Sequence, residues 1–283
     1  MSLNIGESPL LASSIVFLDL ETTGLHNKPR ITELCLIAVD RFSIEQTEPN
    51  NLRIVDKLVL TFNPRIEIEP MASKISNISA SQLCRKKDFD SDTCTLIDLY
   101  LKRLDPPIIL LAHNGFAFDF PILKSELFRV DASIKLVDCK GDPILCADSK
   151  KLFGALYSEL PFQVTEETLL EEKLSDMSVS KKSTKSLKLT DIHTKVFGAV
   201  QENAHSAEAD CFAILNLVLT ISFNACSWLD SNNLDFNSGI KARYETYADE
   251  SLFPLKRGEF PYELTDTQNE KSEISAFRLD YNS

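Results

Sequence analysis

Apolar residues fall in short β-branched runs over the first quarter of the chain and in longer runs of helical period after it. The run SIVFLDL (14–20) predicts a strand that TTGL turns, and ITELCLIAVDR (31–41) and RIVDKLVLTF (53–62) predict two more. Residues 63–83 read as a loop with a capped helical turn, TCTLIDLYLKRL (93–104) as a helix, and PPIILLAHN (106–114) as a fourth strand punctuated by its prolines. A helix over 120–130, a fifth strand ILCADS (144–149) and a helix KKLFGALY (150–157) follow. Residues 158–186 form a polar stretch long enough to predict a loop with a role of its own, and helices over about 187–197 and 204–225 close the pattern. Three meandering strands followed by helix-linked strands predict an α/β fold, a five-stranded mixed sheet with helices on both faces.

With 283 residues and 43% hydrophobic content, the chain can bury one large core. The expected division is a folded domain over 10–245 and an acidic, flexible tail over 246–283. The longest apolar stretch, CFAILNLVLTISFNAC (211–226), is broken by Asn216, Thr220, Ser222 and Asn224, so it predicts a buried helix and not a membrane span. MSLNIGESPLLASS lacks the basic start and sustained apolar run of a signal peptide, and no membrane anchor is expected. Seven cysteines without a CxxC pair predict buried thiols in a reducing compartment, hence an intracellular protein of the cytoplasm or nucleus.

Three separated motifs carry candidate chemistry. Asp19 and Glu21 lie in FLDLETTGL, Asp119 in LLAHNGFAFDFPIL, and His205 and Asp210 in AHSAEADCFAIL. Their apolar flanks predict burial, and four buried carboxylates in one cleft would repel one another unless divalent cations neutralised them. An all-oxygen donor set beside a histidine points to magnesium or manganese and to water activated against a phosphate. Asp19 and Glu21, two apart on a strand, share one face. His205 and Asp210, five apart at a helix start, lie on neighbouring flanks of one turn.

The formal net charge of -12 looks unsuited to a nucleic-acid substrate until it is located. Residues 158–180 hold six acids and one lysine, the tail 246–283 holds eight acids and four bases, and the rest of the body is close to neutral once the four site carboxylates are set aside. The acidity therefore argues against tight, indiscriminate binding of long duplexes and not against a phosphate substrate.

DxE followed by TTGL, then HNG-x3-DF, then H-x4-D resembles the histidine-type DEDD exonucleases of the ribonuclease H-like superfamily. ITELCLIAVDR, VDKLVL, KSLKLTDIHTKVFG and SGIKARYE narrow the resemblance to the three-prime repair exonucleases, over about Ile15 to Tyr244. The resemblance implies a ribonuclease H-like exonuclease fold and a 3′ to 5′ exonuclease that degrades single-stranded or frayed 3′ DNA ends to nucleoside monophosphates. It implies two Mg2+ ions, replaceable by Mn2+, with Asp19 bridging both, Glu21 and Asp210 holding one, and Asp119 supporting the other through water. His205 would take the proton from the attacking water, a task suited to an imidazole whose unperturbed pKa is about 6.5. The implied substrate contacts are Glu21, Thr22, Leu25 and Ile75, the last two wedging against terminal bases, with Lys181, Lys182 and Lys185 of the long loop reaching phosphates. His113 reads as mainly positional, with a substrate contact as the alternative. Asn77, where relatives often have glycine, is a residue that tolerates positive φ. Phe116, Ala117 and Phe118 before Asp119 cannot donate side-chain hydrogen bonds, so recognition there is expected to be less polar than in relatives.

The resemblance also implies a homodimer, formed through the third strand at the sheet edge. Two alternatives stay open on sequence: a 3′ to 5′ RNA exonuclease with the same site, and a nucleic-acid-binding module without catalysis.

Overall fold

The structure, a computed structural model, describes residues 11–26, 28–46, 52–163 and 185–245. These lie in the first of two units into which the chain divides, residues 1–248. The expected tail, most of the long loop, Lys181 and Lys182 fall outside the described residues.

Strand β1 (Ser14–Thr22) pairs antiparallel with β2 (Ile31–Asp40), setting Asp19 opposite Cys35 and Glu21 opposite Glu33. β2 pairs antiparallel with β3 (Asp56–Thr61). On its other side β1 runs parallel to β4 (Ile108–Ala112), and β4 parallel to β5 (Leu145–Asp148). Among the described residues the sheet has six strands and not five, in the order β3-β2-β1-β4-β5-β6. The added strand β6 (Leu234–Asp235) pairs antiparallel with β5, and two residues are too few to show alternation in sequence. β3 lies at the edge, as its place in a meander requires.

The helices are α1 (Arg41–Gln46), α2 (Pro70–Ser76), α3 (Ala80–Leu83), α4 (Ser91–Leu101), α5 (Asp119–Val130), α6 (Ser149–Ala155), α7 (Leu189–Phe197), α8 (Ala207–Thr220), α9 (Ser222–Ser231) and α10 (Phe236–Gly239). The single closing helix expected over 204–225 is instead α8 and α9, bent by 105° at Ile221. Thr220 and Ser222 flank that break, but in an otherwise apolar run they read as polar positions of one buried helix. Locally, the Thr220 hydroxyl donates to the Leu217 carbonyl at 2.7 Å and the Ile221 N–H bonds three residues back, to Val218, which tightens and ends the helix. No single described helix is long and apolar enough to cross a membrane, although the bent pair passes that test together by composition.

Strand alternation builds a core on each face of the sheet. Ile15 and Phe17 of β1 pack with Ile37, Ile109 and Leu111 under α6, α7, α8 and α9. Val16, Leu18 and Leu20 pack with Leu34, Leu36 and Leu110 under α4 and α5. The 16–20 row holds the α5 side rigid, and the 15–17 row points its next two members, Asp19 and Glu21, toward α8. Two ion pairs tie the rim. Arg41 at the start of α1 meets Asp230 of α9 at 2.6 Å, and Arg30, 4% exposed at its side chain, meets the fully buried Glu126 of α5.

Candidate active site

Each of the five sequence-predicted acid and histidine residues arrives at the C-terminal end of β1 from a different constraint. Asp19 and Glu21 come from the strand pleat. Asp210 stands in the first turn of α8, and α8 is hooked to the sheet because Glu33 Oε2 of β2 accepts the Ala207 N–H at 2.9 Å. That carboxylate satisfies one of the orphan donors at the helix start. Asp119 opens α5, is 2% exposed, and accepts the Leu20 N–H at 3.2 Å, so its side chain is fixed to the backbone of β1 between Asp19 and Glu21. His205 precedes α8, is exposed, and sits at φ 68°, a left-handed conformation that a non-glycine residue adopts at some energetic cost.

One oxygen each of Asp19, Glu21 and Asp210 lies within 4.8 Å of the others, close enough to share a cation. Burial and the neighbouring carboxylates Asp119, Asp210 and Glu21 hold the Asp19 carboxyl well above the ordinary aspartate range. Glu21 is pushed up to about 8 by burial and by Asp210, Glu33 and Asp119. Asp119 is raised by burial first and then by Asp148 and Asp210, against the bonds from its own and Leu20's N–H groups. Asp210 is raised by burial, although bonds from Gln201 and His205 pull it back. Four carboxyls that resist ionising together, all hard oxygen donors, suit a divalent magnesium-like cation, which would restore their charged forms. Asp19, Glu21 and Asp210 could hold it, with Asp119 beside them.

These groups line a cleft of about 320 Å³. Its mouth is apolar: Leu25 is 74% exposed, Met71 63% and Ile75 45%. Glu69 sets this lip. Its N–H donates to the Thr23 carbonyl at 2.8 Å and its Oε2 accepts the Leu25 N–H at 3.4 Å, fastening the TTGL turn to the start of α2. Gly24 lies at φ 145°, and a Cβ there would fall 2.2 Å from Glu69 Oε2, so the turn needs glycine. Asn77 closes α2 at φ 57°.

The other expected contacts are distributed unevenly. Thr22 lines the cleft, but its hydroxyl is engaged in the turn through Gly24. His113 lines it as well, with Nδ1 3.0 Å from Ser149 Oγ and Nε2 2.9 Å from the Leu187 carbonyl, so both ring nitrogens have protein partners. Burial lowers its pKa, which favours the neutral ring. Lys185 places Nζ 4.5 Å from the centroid of the Tyr157 ring, away from the lining of the cleft. Phe118 lines the cleft, and Phe116 lies beneath Lys151 Nζ at 4.6 Å.

Several supporting residues escape sequence reading. Glu33 becomes visible only through the β1–β2 register. Asp148 caps α6 and accepts the Asn114 N–H at 2.9 Å, shaping the HNG turn; an aspartate between a strand and a helix was its signal. Met71 and Gln201 leave no pattern.

Comparisons with known proteins identify the family and the fold. A profile of the exonuclease family matches residues 16–218. Three-prime repair exonuclease 1 of Bos taurus is 31% identical over 243 residues, covering 82% of this chain and 70% of the relative. Three prime repair exonuclease 2 of Mus musculus is 31% identical over 231 residues, 78% of this chain and 89% of the relative. Among solved structures, E. coli exonuclease I in complex with a dT13 oligonucleotide superposes with a TM-score of 0.55 at 18% identity, over 77% of this chain. This chain spans 43% of that protein's length, and the likeness is one of fold.

Proposed function

The chain belongs to the exonuclease family, among relatives of the three-prime repair exonucleases, and on that premise we propose that it is a metal-dependent 3′ to 5′ exodeoxyribonuclease releasing nucleoside monophosphates from single-stranded or frayed DNA ends. The observation that carries the reading is the convergence of Asp19, Glu21, Asp119, Asp210 and His205 on one cleft with an apolar mouth. The 3′ polarity and the choice of DNA are supported by the relatives' names and by the oligonucleotide bound to exonuclease I.

Asp19, Glu21 and Asp210 would hold one Mg2+ ion, and Asp19 with Asp119 the second; Mn2+ has the same preference for oxygen donors. Bound there, such cations supply Lewis-acid polarisation of a phosphoryl oxygen and a more acidic water. The chain's own groups do the rest. Leu25 and Ile75 bracket the terminal base by apolar contact, which tolerates any sequence. His205, exposed at the cleft rim, takes the proton from the attacking water on a ring nitrogen and returns it to solvent. Asp119, tied to Leu20, keeps the cluster fixed while charge redistributes at phosphorus.

The protein is expected to act as a homodimer paired through the β3 edge, whose alternation leaves Lys57 and Val59 exposed. End-labelled DNA and RNA of one sequence, incubated with and without Mg2+, test the reading. Stepwise loss of mononucleotides from DNA 3′ ends only with metal supports it; preferred cleavage of RNA replaces DNA by RNA as substrate, and binding without cleavage leaves a non-catalytic module.

A further inference from the structure

Gln201 lies in the segment between α7 and α8 and is 7% exposed. Its Nε2 donates to Asp210 Oδ1, while its Oε1 has no hydrogen-bond partner among the described residues. Burying an amide with one end unsatisfied is unfavourable, and an apolar side chain of similar volume would fill the space without that cost. What an apolar side chain cannot supply is the bond to Asp210.

That bond falls on a consequential atom. Asp210 Oδ1 also accepts the His205 N–H at 3.4 Å, and among the described residues no hydrogen bond is made to Oδ2. Two donors on Oδ1 fix the plane of the carboxylate and leave Oδ2 for a cation shared with Asp19 and Glu21. The His205 backbone, at φ 68°, is held by the same oxygen, so one carboxylate links the cation site to the proposed base.

We propose that Gln201 is a positioning residue: it locks Asp210 so that Oδ2 is offered to the cation, and through Asp210 it fixes the His205 turn. The inference rests on the exonuclease reading. It adds a determinant of cation affinity and turnover that touches neither metal nor DNA, and partners of metal-binding carboxylates commonly govern affinity in this way.

Two variants of the full chain test it. Gln201→Met keeps the length and volume and removes the donor; Gln201→Glu is nearly isosteric and sets a carboxylate against Oδ1. Mn2+ binding to the DNA-free protein is followed by electron paramagnetic resonance. Beside it are measured the Mg2+ concentration for half-maximal cleavage, kcat and KM for a single-stranded oligonucleotide, and the melting curve by circular dichroism. Gln201→Met is expected to melt as the wild type does and to keep its KM at saturating Mg2+. Its Mn2+ Kd and half-maximal Mg2+ should rise about tenfold or more, with kcat reduced. Gln201→Glu, which keeps the shape and also removes the donor to Oδ1, should show the same losses, and it decides the matter if Gln201→Met fails to fold. Wild-type Mn2+ affinity and Mg2+ dependence in the folded variants would make Gln201 a packing residue and overturn the proposal. A wild-type protein that neither binds Mn2+ nor cleaves DNA would remove the exonuclease reading itself, and this inference with it.

Discussion

The Leu20 N–H and the Asp119 carboxylate are joined by a 3.2 Å hydrogen bond that spans 99 positions of the chain. A carboxylate from the start of α5 is thereby set into the backbone of the strand that bears Asp19 and Glu21, so the four acids are crowded by the fold and not by the flexibility of their side chains.

Crowding makes charge removal favourable to the cation-free fold. Asp19→Asn and Asp210→Asn should each retain less than about a tenth of wild-type hydrolysis while the cation-free protein melts at the same temperature or higher, because repulsion is relieved. Melting curves in chelator beside activity in Mg2+ check both halves. Substantial activity in either variant would remove its acid from the cation site.

His205→Ala should lower turnover by roughly 10²-fold or more, the usual share of general-base catalysis, with affinity for a single-stranded oligonucleotide in Ca2+ nearly unchanged. A binding defect with normal single-turnover rates would instead make His205 a substrate contact.

Cation-free stability should fall as pH rises through the window between the ordinary glutamate value of 4.5 and about 8, where the Glu21 carboxyl titrates in the folded state. In that window the folded protein keeps a proton that the unfolded chain has released, so the slope of stability on pH is negative for this group. Urea titrations in chelator across the window should show a flatter dependence for Glu21→Gln than for the wild type. Mg2+ should restore the stability lost at the alkaline end.

Glu126 is fully buried, receives Arg30 Nε and, at 2.8 Å, Arg129 Nε, and also accepts the Ile31 N–H at 3.4 Å. Glu126→Ala leaves a buried arginine without this partner and should destabilise the domain by about 3–5 kcal/mol, read as a shift in the urea midpoint. Since the Arg30 backbone also bonds the Thr23 backbone, activity should fall at temperatures well below the wild-type melt.

The β3 edge predicts association. Light scattering at micromolar concentration should give the mass of a dimer, and a charged substitution at Val59, 36% exposed on that strand, should shift the mass toward the monomer. A monomeric wild type would remove the dimer from the reading.

Strands β1 to β5 and the five acid and histidine positions were legible because short-range periodicity and motif spacing encode them: Asp19 and Glu21 share a face by the pleat alone. The partners of those residues were not. Glu33 meets the N-terminus of α8 only once β1 and β2 are in register, and Gln201 reaches Asp210 across a turn with left-handed residues that propensity does not specify. The bend at Ile221 was hidden for the opposite reason, an apolar run that satisfies helix and break alike.

Asp210 stands on a helix that begins only at Ala207, and that helix is clamped to a strand residue made 174 positions earlier. Synthesis must therefore pass about the first three quarters of the chain before the carboxylate set is complete, and long-range contacts of this kind form late in folding. A ribosome-bound or truncated fragment ending before Ala207 lacks Asp210, holds three of the four site carboxylates, and should be inert toward the nucleic acids that surround it during translation.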